Sequence, residues 1–238
     1  NITIGAGNII RRYGDRIMIV PVMTDIMNAN NLIAEQNRKH FDGKSIYVVN
    51  LLASPGAGKT TFLEETIRRI KDNIPVAVIE GDLASDVDAL RIEKLGVQVV
   101  QINTGRGCHL NAAMIQKSFE KLNLETIHVI FIENVGNLVC PAGYKLGENV
   151  TVLLTSTTEG DDKILKYPPV FQMSDLLILN KIDLMSYVDY DLERLKKEFI
   201  KINPKSRLLP LSSKTGEGFD DWIEWLKNEI FIFRRKTL

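Results

Sequence analysis

Three side chains that favour transition metals lie in two short stretches of this 238-residue sequence. Cys108 and His109 are adjacent in "TGRGCHLNAA", and Cys140 follows in "GNLVCPAGY". The sequence has two cysteines and three histidines, so this grouping uses both thiols. Thiolate and imidazole groups suit Zn²⁺ or Ni²⁺. Taken alone, the adjacent pair would favour the alternative of a buried thiol beside a surface histidine.

A phosphate-binding loop is indicated by "VVNLLASPGAGKTT". Its Gly-rich turn precedes a predicted helix, whose N terminus presents backbone N–H groups and a favourable dipole to an anion. Lys59 is expected to bridge the β- and γ-phosphates, and Thr60 to bind Mg²⁺. Ala53 occupies the place of the first glycine in GxxxxGK[ST]. The predicted nucleotide-binding residues here are Ser54, Pro55, Gly56, Ala57, Gly58, Lys59, Thr60 and Thr61.

Guanine is the base that the stretch "NKID" predicts. Asp183 can accept hydrogen bonds from N1–H and from the 2-amino group of guanine, a pattern that adenine does not offer. The motif is weak alone, but it follows a phosphate loop and precedes "LSSKTGEG". This order favours a GTPase over a nucleoside kinase. The predicted base-side residues are Asn180, Lys181, Asp183, Ser212, Ser213 and Lys214.

Two carboxylates follow predicted strand ends, Asp82 in "VIEGDLASDVDA" and Glu133 in "VIFIENVGN". Open parallel sheets bind their ligands beyond the carboxyl ends of the strands. We therefore expect both carboxylates to hold Mg²⁺ together with Thr60, directly or through water. Asp86 and Asp88 are expected to contact the attacking water, with the role of helix N-cap an equal alternative for Asp86. The predicted catalytic residues are Lys59, Asp82 and Asp88.

Alternating strands and helices must position these residues. Continuous apolar runs separated by amphipathic segments predict a mostly parallel sheet with helices on both faces. The predicted strands are Ile46–Leu52, Val76–Ile79, Val97–Gln101, His128–Ile132, Val150–Thr155, Leu176–Asn180 and Leu208–Leu211. The predicted helices are Phe62–Lys71, Asp86–Leu95, Leu110–Leu122, Leu192–Ile202 and Phe219–Ile230.

Residues 1–43 are predicted to form an N-terminal arm that contains no strand and ends in a helix. Asp25 is the expected N-cap of that helix, because apolar residues recur at helical spacing after it. Residues 44–238 are predicted to form one GTP-binding domain.

Charge and composition exclude several classes of protein. Thirty basic residues balance thirty acidic ones, so no global field favours nucleic acid or an anionic membrane. No apolar run approaches the roughly 20 residues of a membrane span, and the first residues lack a signal-peptide pattern. Two cysteines cannot form a disulfide framework. These observations predict a cytoplasmic protein.

Both cysteine loops follow predicted strand ends, so they should converge at the nucleotide edge of the sheet. A structural zinc normally has four ligands, whereas one chain supplies Cys108, His109 and Cys140. A two-fold dimer would double the ligand set and link metal binding to dimerisation.

Three longer stretches carry a family resemblance: "EGDLASDVDALRIEKLGVQVVQINTGRGCHLNA", "IENVGNLVCPAGYKLGE" and "LNKIDL". Over most of residues 45–230 the chain resembles the HypB family of hydrogenase nickel-incorporation GTPases. The resemblance implies a P-loop NTPase of the dimerising class that includes relatives of the signal-recognition particle and of the nitrogenase iron protein. It also implies a metallochaperone that assists nickel insertion into [NiFe]-hydrogenase.

The resemblance implies roles for particular residues and partners. Cys108, His109 and Cys140 become nickel or zinc ligands at the interface of a GTP-dependent homodimer. The family's Mg²⁺ and phosphate residues fall on Lys59, Thr60, Asp82 and Glu133. A small HypA-like nickel protein is the implied partner of residues 1–30, with the hydrogenase large subunit served indirectly.

The mechanism that these features suggest is a GTP-controlled metal switch. The γ-phosphate would order the loops after Asp82 and Glu133 and align the metal ligands of two subunits. Hydrolysis should be slow, because the switch loops show no obvious glutamine or arginine finger. Three alternatives stay open: a urease-type nickel-maturation GTPase, which carries Cys-Pro-His; a nucleotide-dependent scaffold with merely buried cysteines; and a kinase.

Overall fold

The computed structural model describes residues 2–5, 8–13, 16–20, 22–82, 86–105 and 107–237, with side chains from Asp25 onward. These residues form two β-sheets and eight α-helices. Within this part of the chain, no helix combines the length and apolar character that crossing a lipid bilayer requires.

The larger sheet confirms the predicted parallel architecture. Its seven strands are β4 (Tyr47–Ala53), β5 (Val76–Asp82), β6 (Gln98–Asn103), β7 (Val129–Glu133), β8 (Val150–Ser156), β9 (Leu176–Asn180) and β10 (Arg207–Pro210). They lie in the order β10-β9-β8-β4-β7-β5-β6, and every neighbouring pair is parallel. The carboxyl ends of the strands therefore meet at one edge of the sheet.

Helices cover both faces of this sheet. They are α1 (Val22–Asp42), α2 (Lys59–Ile70), α3 (Val87–Glu93), α4 (Ala112–Ser118), α5 (Lys163–Lys166), α6 (Pro168–Met173), α7 (Leu192–Ile202) and α8 (Phe219–Thr237). Central strand β4 shows the division, since successive side chains point to opposite faces. Val49 and Leu51 share a core with α2, α3 and α8. On the other face Val48 packs in the core of α1 and α4, and Leu52 packs in that of α5, α6 and α7.

The N-terminal region differs from the prediction of an arm without strands. A small antiparallel sheet is formed there by β1 (Ile2–Gly5), β2 (Asn8–Tyr13) and β3 (Arg16–Val20). These strands have four to six residues. The run Ile17–Val20 carried an apolar signal, but β1 and β2 contain polar residues and no continuous apolar run like those of the main sheet.

Two helix starts also differ from expectation. Helix α1 begins at Val22, so Asp25 lies in its first turn, where its charge favours the helix dipole, and is not the N-cap. The predicted helix Leu110–Leu122 begins only at Ala112, because the Asn111 side chain accepts from the backbone N–H of Met114 and caps it there. A 3-10 turn at 119–121 follows this shorter helix.

Candidate functional site

The phosphate loop joins the central strand β4 to helix α2, as predicted. Gly56 and Gly58 have φ angles of 81° and 92°, which only glycine adopts without strain. A side chain at Gly58 would also lie 2.7 Å from Nδ2 of Asn180. That amide donates to the carbonyl of Ala57 at 2.9 Å, so the NKxD segment braces the loop. Ala53 ends β4 fully buried, where its small side chain fits.

Glu133 lies at the start of α2, against the two residues predicted to handle phosphate and Mg²⁺. One oxygen, Oε1, accepts from the Thr60 hydroxyl at 2.8 Å and lies 3.1 Å from Nζ of Lys59. The other oxygen, Oε2, is buried without a hydrogen-bond partner among the described residues. A buried carboxylate oxygen with no partner, next to a threonine hydroxyl, has the donor chemistry that Mg²⁺ requires.

A cleft of about 610 Å³ opens beside this cluster. Ten of its lining residues were predicted from the sequence: Ser54, Pro55, Gly56, Gly58, Lys59, Thr60, Thr61, Asp82, Asp88 and Lys181. The structure thus brings the predicted catalytic residues and most of the predicted phosphate and Mg²⁺ residues to one cleft, with Glu133 buried behind Lys59 and Thr60. Ala57 is buried beneath it.

Arg91 also lines the cleft, and the sequence analysis missed it. It lies on α3, where its guanidinium pairs with Glu64 at 2.5 Å and with Asp88 at 3.1 Å, and donates to the Thr61 hydroxyl at 3.3 Å. Its position three residues after Asp88 on a helix was the available signal. Because Asp88 forms an ion pair with Arg91, the negative charge of its carboxylate is balanced by the positive charge of the guanidinium.

Glu80 is a second residue that the sequence analysis missed. It is 2% exposed and directly opposite Glu133 in the β5–β7 register, with Oε2 lacking a hydrogen-bond partner among the described residues. Burial, followed by the nearby negative charge of Glu133, raises the pKa of Glu80 to about 8. Glu80 is therefore neutral near pH 7. It lies two positions before Asp82 in the stretch "EGD", which was the available signal.

The predicted base-side residues also assemble around one another. The carboxylate of Asp183 accepts from the Ser212 hydroxyl at 2.6 Å. Asn180 Oδ1 accepts from the backbone N–H of Ser213 at 3.0 Å and from its hydroxyl at 2.9 Å. The backbone N–H of Lys214 donates to the Ser212 hydroxyl at 3.3 Å. Two separate loops, after β9 and after β10, thus form one unit.

Lys181 joins that unit to the phosphate loop. Its Nζ donates to the carbonyl of Gly56 at 2.6 Å, and its backbone is left-handed with φ of 61°. This sparsely populated conformation holds the lysine over the loop, as strained residues often do at functional sites.

Cys108, His109 and Cys140 form the second cluster. Their candidate ligand atoms all lie within 4.8 Å of one another, and all three residues are half-buried. The Cys108 sulfur is 3.6 Å from Nδ1 of His109. A hydrogen bond with the Cys140 thiol raises the pKa of Cys108, whereas burial lowers the pKa of His109. Burial therefore favours the neutral imidazole, the form that binds metals.

Two neighbours of this cluster were not predicted. The ring of Tyr144 packs against the His109 ring at a tilt of 34°, with centroids 4.0 Å apart. The amide of Asn137 donates to the Cys108 carbonyl at 3.4 Å and accepts from the backbone of Val139 at 2.8 Å. Asn137 therefore connects the segment before Cys140 to the Cys108 loop.

Comparisons with known proteins agree with this arrangement. The model of the family described as CobW/HypB/UreG, nucleotide-binding domain, matches residues 47–210. The hydrogenase maturation factor HypB of Escherichia coli K12 is 46% identical over 211 residues, covering 89% of this chain and 73% of that protein. The chain belongs to the HypB family of hydrogenase maturation factors. The family resemblance predicted from its motifs is thereby confirmed.

Solved structures of HypB and of a more distant protein share the fold. HypB from Helicobacter pylori, solved in complex with nickel, is 38% identical with a TM-score of 0.81, covering 85% of this chain and 95% of that one. The signal recognition particle receptor FtsY from Elizabethkingia anophelis, in complex with GDP, is 13% identical with a TM-score of 0.50. It covers 80% of this chain and 78% of FtsY, and the likeness concerns the fold alone.

Proposed function

We propose that this chain is a GTP-hydrolysing metallochaperone that binds nickel through Cys108, His109 and Cys140 and assists nickel insertion into [NiFe]-hydrogenase. The observation that carries the proposal is the convergence of both cysteines and one of three histidines within 4.8 Å. Hydrogenase as the destination rests on the names of the HypB relatives. Zn²⁺ suits the same ligands and is the competing cargo.

The nucleotide is GTP, and Mg²⁺ accompanies it. The Ser212 hydroxyl donates a hydrogen bond to the Asp183 carboxylate and fixes its position. A carboxylate fixed in this way is suited to accept hydrogen bonds from guanine. Thr60, Asp82 and Glu133 would hold Mg²⁺, which supplies positive charge against the phosphates when bound. Lys59 adds a second positive charge at the same point. Asp88 would orient the attacking water. Arg91 already pairs with two carboxylates and so does not act as an arginine finger, which agrees with slow hydrolysis.

One contact path between the nucleotide and metal sites runs from Asp82. Its carbonyl accepts from the backbone N–H of Thr104 at 2.9 Å, and the Thr104 hydroxyl oxygen lies 3.2 Å from the same carbonyl. The same hydroxyl donates to the carbonyl of Gly107 at 2.7 Å, directly before Cys108. A shift of Asp82 on nucleotide binding would therefore move the first metal ligand.

A second path runs from Glu133. The next residue, Asn134, is 1% exposed, and its Oδ1 accepts from the backbone N–H of Leu110 at 3.2 Å, directly after His109. Its amide donates to Asn50 on β4 at 3.3 Å. Gly136 lies against Pro55 of the phosphate loop, where an added Cβ would be 3.3 Å from the proline ring. Both paths support coupling between nucleotide state and metal binding.

A GTP-dependent homodimer completes the proposal. One chain offers three metal ligands, so two chains related by a two-fold axis would share a closed site that separates after hydrolysis. A HypA-like nickel protein would dock on residues 1–30, in the cytoplasm, where thiols remain reduced.

Base recognition and metal binding need separate tests. Phosphate release should require GTP and Mg²⁺ and should be lost with ATP. Asp183→Asn should reduce activity with GTP and restore it with xanthosine triphosphate, because xanthine carries a carbonyl in place of the 2-amino group. Equal rates with ATP and GTP would contradict the guanine assignment.

Nickel binding is tested by titration of metal-free protein with thiol labelling in parallel. Both cysteines should react with a thiol reagent without metal and become protected by one equivalent of Ni²⁺ per metal site. Cysteines that resist labelling with or without metal would instead support the scaffold alternative.

A further inference from the structure

We propose that helix α1 is a clamp that fixes the spacing between the two metal-binding loops, with Asn30 and Asn37 as its positioning residues. The Cys108 loop is defined as residues 107–111 and the Cys140 loop as residues 134–147. This inference rests on the proposed metal site and identifies the helix that sets the relative position of its two loops.

Asn37 bridges the two loops at their bases. Its side chain is fully buried, and its amide donates both to the carbonyl of Ala112 and to the carbonyl of Leu146, each at 2.9 Å. Ala112 is the first residue of α4, directly after the Cys108 loop, and Leu146 lies near the end of the Cys140 loop.

Asn30 makes the same bridge two turns earlier on the helix. Its Oδ1 accepts from the backbone N–H of Ala112 at 2.9 Å, and its amide donates to the carbonyl of Lys145 at 2.8 Å. It is 7% exposed. A spacing of seven residues places Asn30 and Asn37 on one face of α1.

The bonds of the two asparagines are divided evenly between the loops, and this division distinguishes a clamp from ordinary helix packing. Two of the four bonds go to Ala112, and two go to the adjacent residues Lys145 and Leu146. A buried asparagine that only satisfied its own polarity could find all its partners in one segment. Here each side chain spans both.

Close packing along α1 makes the clamp stiff. A Cβ added at Gly147 would lie 2.6 Å from Cβ of Asn37 and 2.8 Å from the carbonyl of Ala34, so backbone and helix are in direct contact. Near the other end, Met27 packs over Gly143, three residues after Cys140. Displacement of α1 would therefore change the distance between the Cys108 and Cys140 sulfurs.

Closure of a Cys108–Cys140 disulfide measures this spacing without metal. A disulfide requires Cβ atoms about 3.5–4.5 Å apart, so its rate of formation is sensitive to small separations. Metal-free protein is treated with diamide, which is reduced to the hydrazine as the two thiols lose two electrons and two protons. Loss of free thiols is followed with time.

Asn30→Ala and Asn37→Ala should each slow closure by roughly tenfold, since misplacement of reacting groups by about 1 Å has effects of this order or larger. The matched control is Asn28→Ala, the same substitution at an exposed position of the same helix, and it should close at the wild-type rate. Affinity for GDP should stay unchanged in all three variants, because neither asparagine bonds to the phosphate loop.

Asn30→Asp provides the sharper variant. It keeps the acceptor for Ala112 and removes the donor to Lys145, so closure should fall between the wild-type rate and that of Asn30→Ala. If Asn37→Ala fails to bind GDP and is therefore unfolded, the two Asn30 variants still test the clamp. Wild-type closure rates in GDP-binding Asn30→Ala and Asn30→Asp proteins would overturn the clamp.

Nickel titration of the same variants separates this inference from the proposed function. Clamp variants should bind Ni²⁺ roughly ten- to a hundredfold more weakly than wild type, the usual effect of removing groups that orient metal ligands. If wild type itself leaves Cys108 unprotected by Ni²⁺, the proposed function fails, while the closure rates still test the clamp.

Discussion

The nucleotide cleft and the metal cluster lie at the same edge of the sheet but are built in different ways. The cleft residues occupy motifs next to strands, and they contact one another: Lys59 and Thr60 both reach Glu133, and Lys181 reaches Gly56. Cys108, His109 and Cys140 lie in loops and 3-10 turns, and residues on other elements hold these loops. Sequence motifs therefore mark both partners in the contacts of the first site, whereas no motif marks the residues that hold the second.

This difference explains how one site can control the other. A site whose residues contact one another responds mainly to its own ligand. A site held by residues on other elements also responds to movement of those elements. Thr104 and Asn134 connect the metal loops to the nucleotide side, and Asn30 and Asn37 connect them to α1. The metal cluster is thus the dependent partner in the proposed switch.

The largest expected effect comes from removing a metal ligand. Cys108→Ser should weaken Ni²⁺ binding by on the order of a thousandfold, because a neutral hydroxyl replaces the thiolate. Affinity for GDP should not change. Isothermal titration with both ligands makes the measurement, and Cys140→Ser should behave alike. Nickel affinity retained in both variants would contradict the assigned ligands.

A comparable effect on the other site follows from Lys59→Ala. GTP turnover should fall by roughly 100-fold or more, since a positive charge at the developing phosphate charge is lost. Nickel binding without nucleotide should remain as in wild type. Phosphate release and nickel titration on one preparation make the test. Lys196→Ala, at a partly exposed position of helix α7, is a matched control whose turnover should equal that of wild type.

A smaller effect is expected at the connection between the sites. Asn134→Ala should bind nickel and nucleotide separately but should lose most of the nucleotide-dependent change in nickel affinity, a coupling that typically amounts to about 5- to 150-fold. Because coupling is reciprocal, the nickel-dependent change in affinity for the GTP analogue should shrink by the same factor. Full coupling in this variant would remove Asn134 from the path.

The smallest effect concerns pH and stability of the metal-free and nucleotide-free protein. Folding raises the pKa of Glu80 from 4.5 to about 8. Between these values the native protein holds a proton that the unfolded chain has released, so stability falls as pH rises through this window. Glu80→Gln has no ionisable group at this position, so its stability should not fall with rising pH for this reason. The Tm difference between variant and wild type should therefore grow from about pH 5 to about pH 9, and a constant difference would show that Glu80 ionises normally.

Much of the fold and of the nucleotide site could be predicted from the sequence because both depend on local patterns. Continuous apolar runs predicted the seven strands of the main sheet. The motifs "SPGAGKTT" and "NKID" predicted the nucleotide-binding residues by their type and spacing. Strand ends then placed Asp82 and Glu133 at the same edge, where the structure has them.

The remaining features depend on contacts between residues far apart in the chain. Asn37 is 75 residues from Ala112 and 109 from Leu146, and no local pattern marks an asparagine as a bridge. Arg91 and Glu80 were missed for a related reason, since each interacts with a carboxylate on another element, Arg91 with Glu64 and Glu80 with Glu133. The N-terminal strands β1, β2 and β3 were missed because β1 and β2 lack a continuous apolar run, and the apolar run of β3 has no neighbouring strand that the sequence marks.

The central claim is that nucleotide state controls metal binding through a shared dimer. Its most direct test is competition titration of Ni²⁺ and Zn²⁺ into metal-free protein, with GDP and then with a non-hydrolysable GTP analogue, while light scattering reports molecular mass. The account predicts a dimer with the analogue and a change in metal affinity of several-fold or more, with metal favouring that dimer in return. Identical affinity and identical mass with both nucleotides would contradict it.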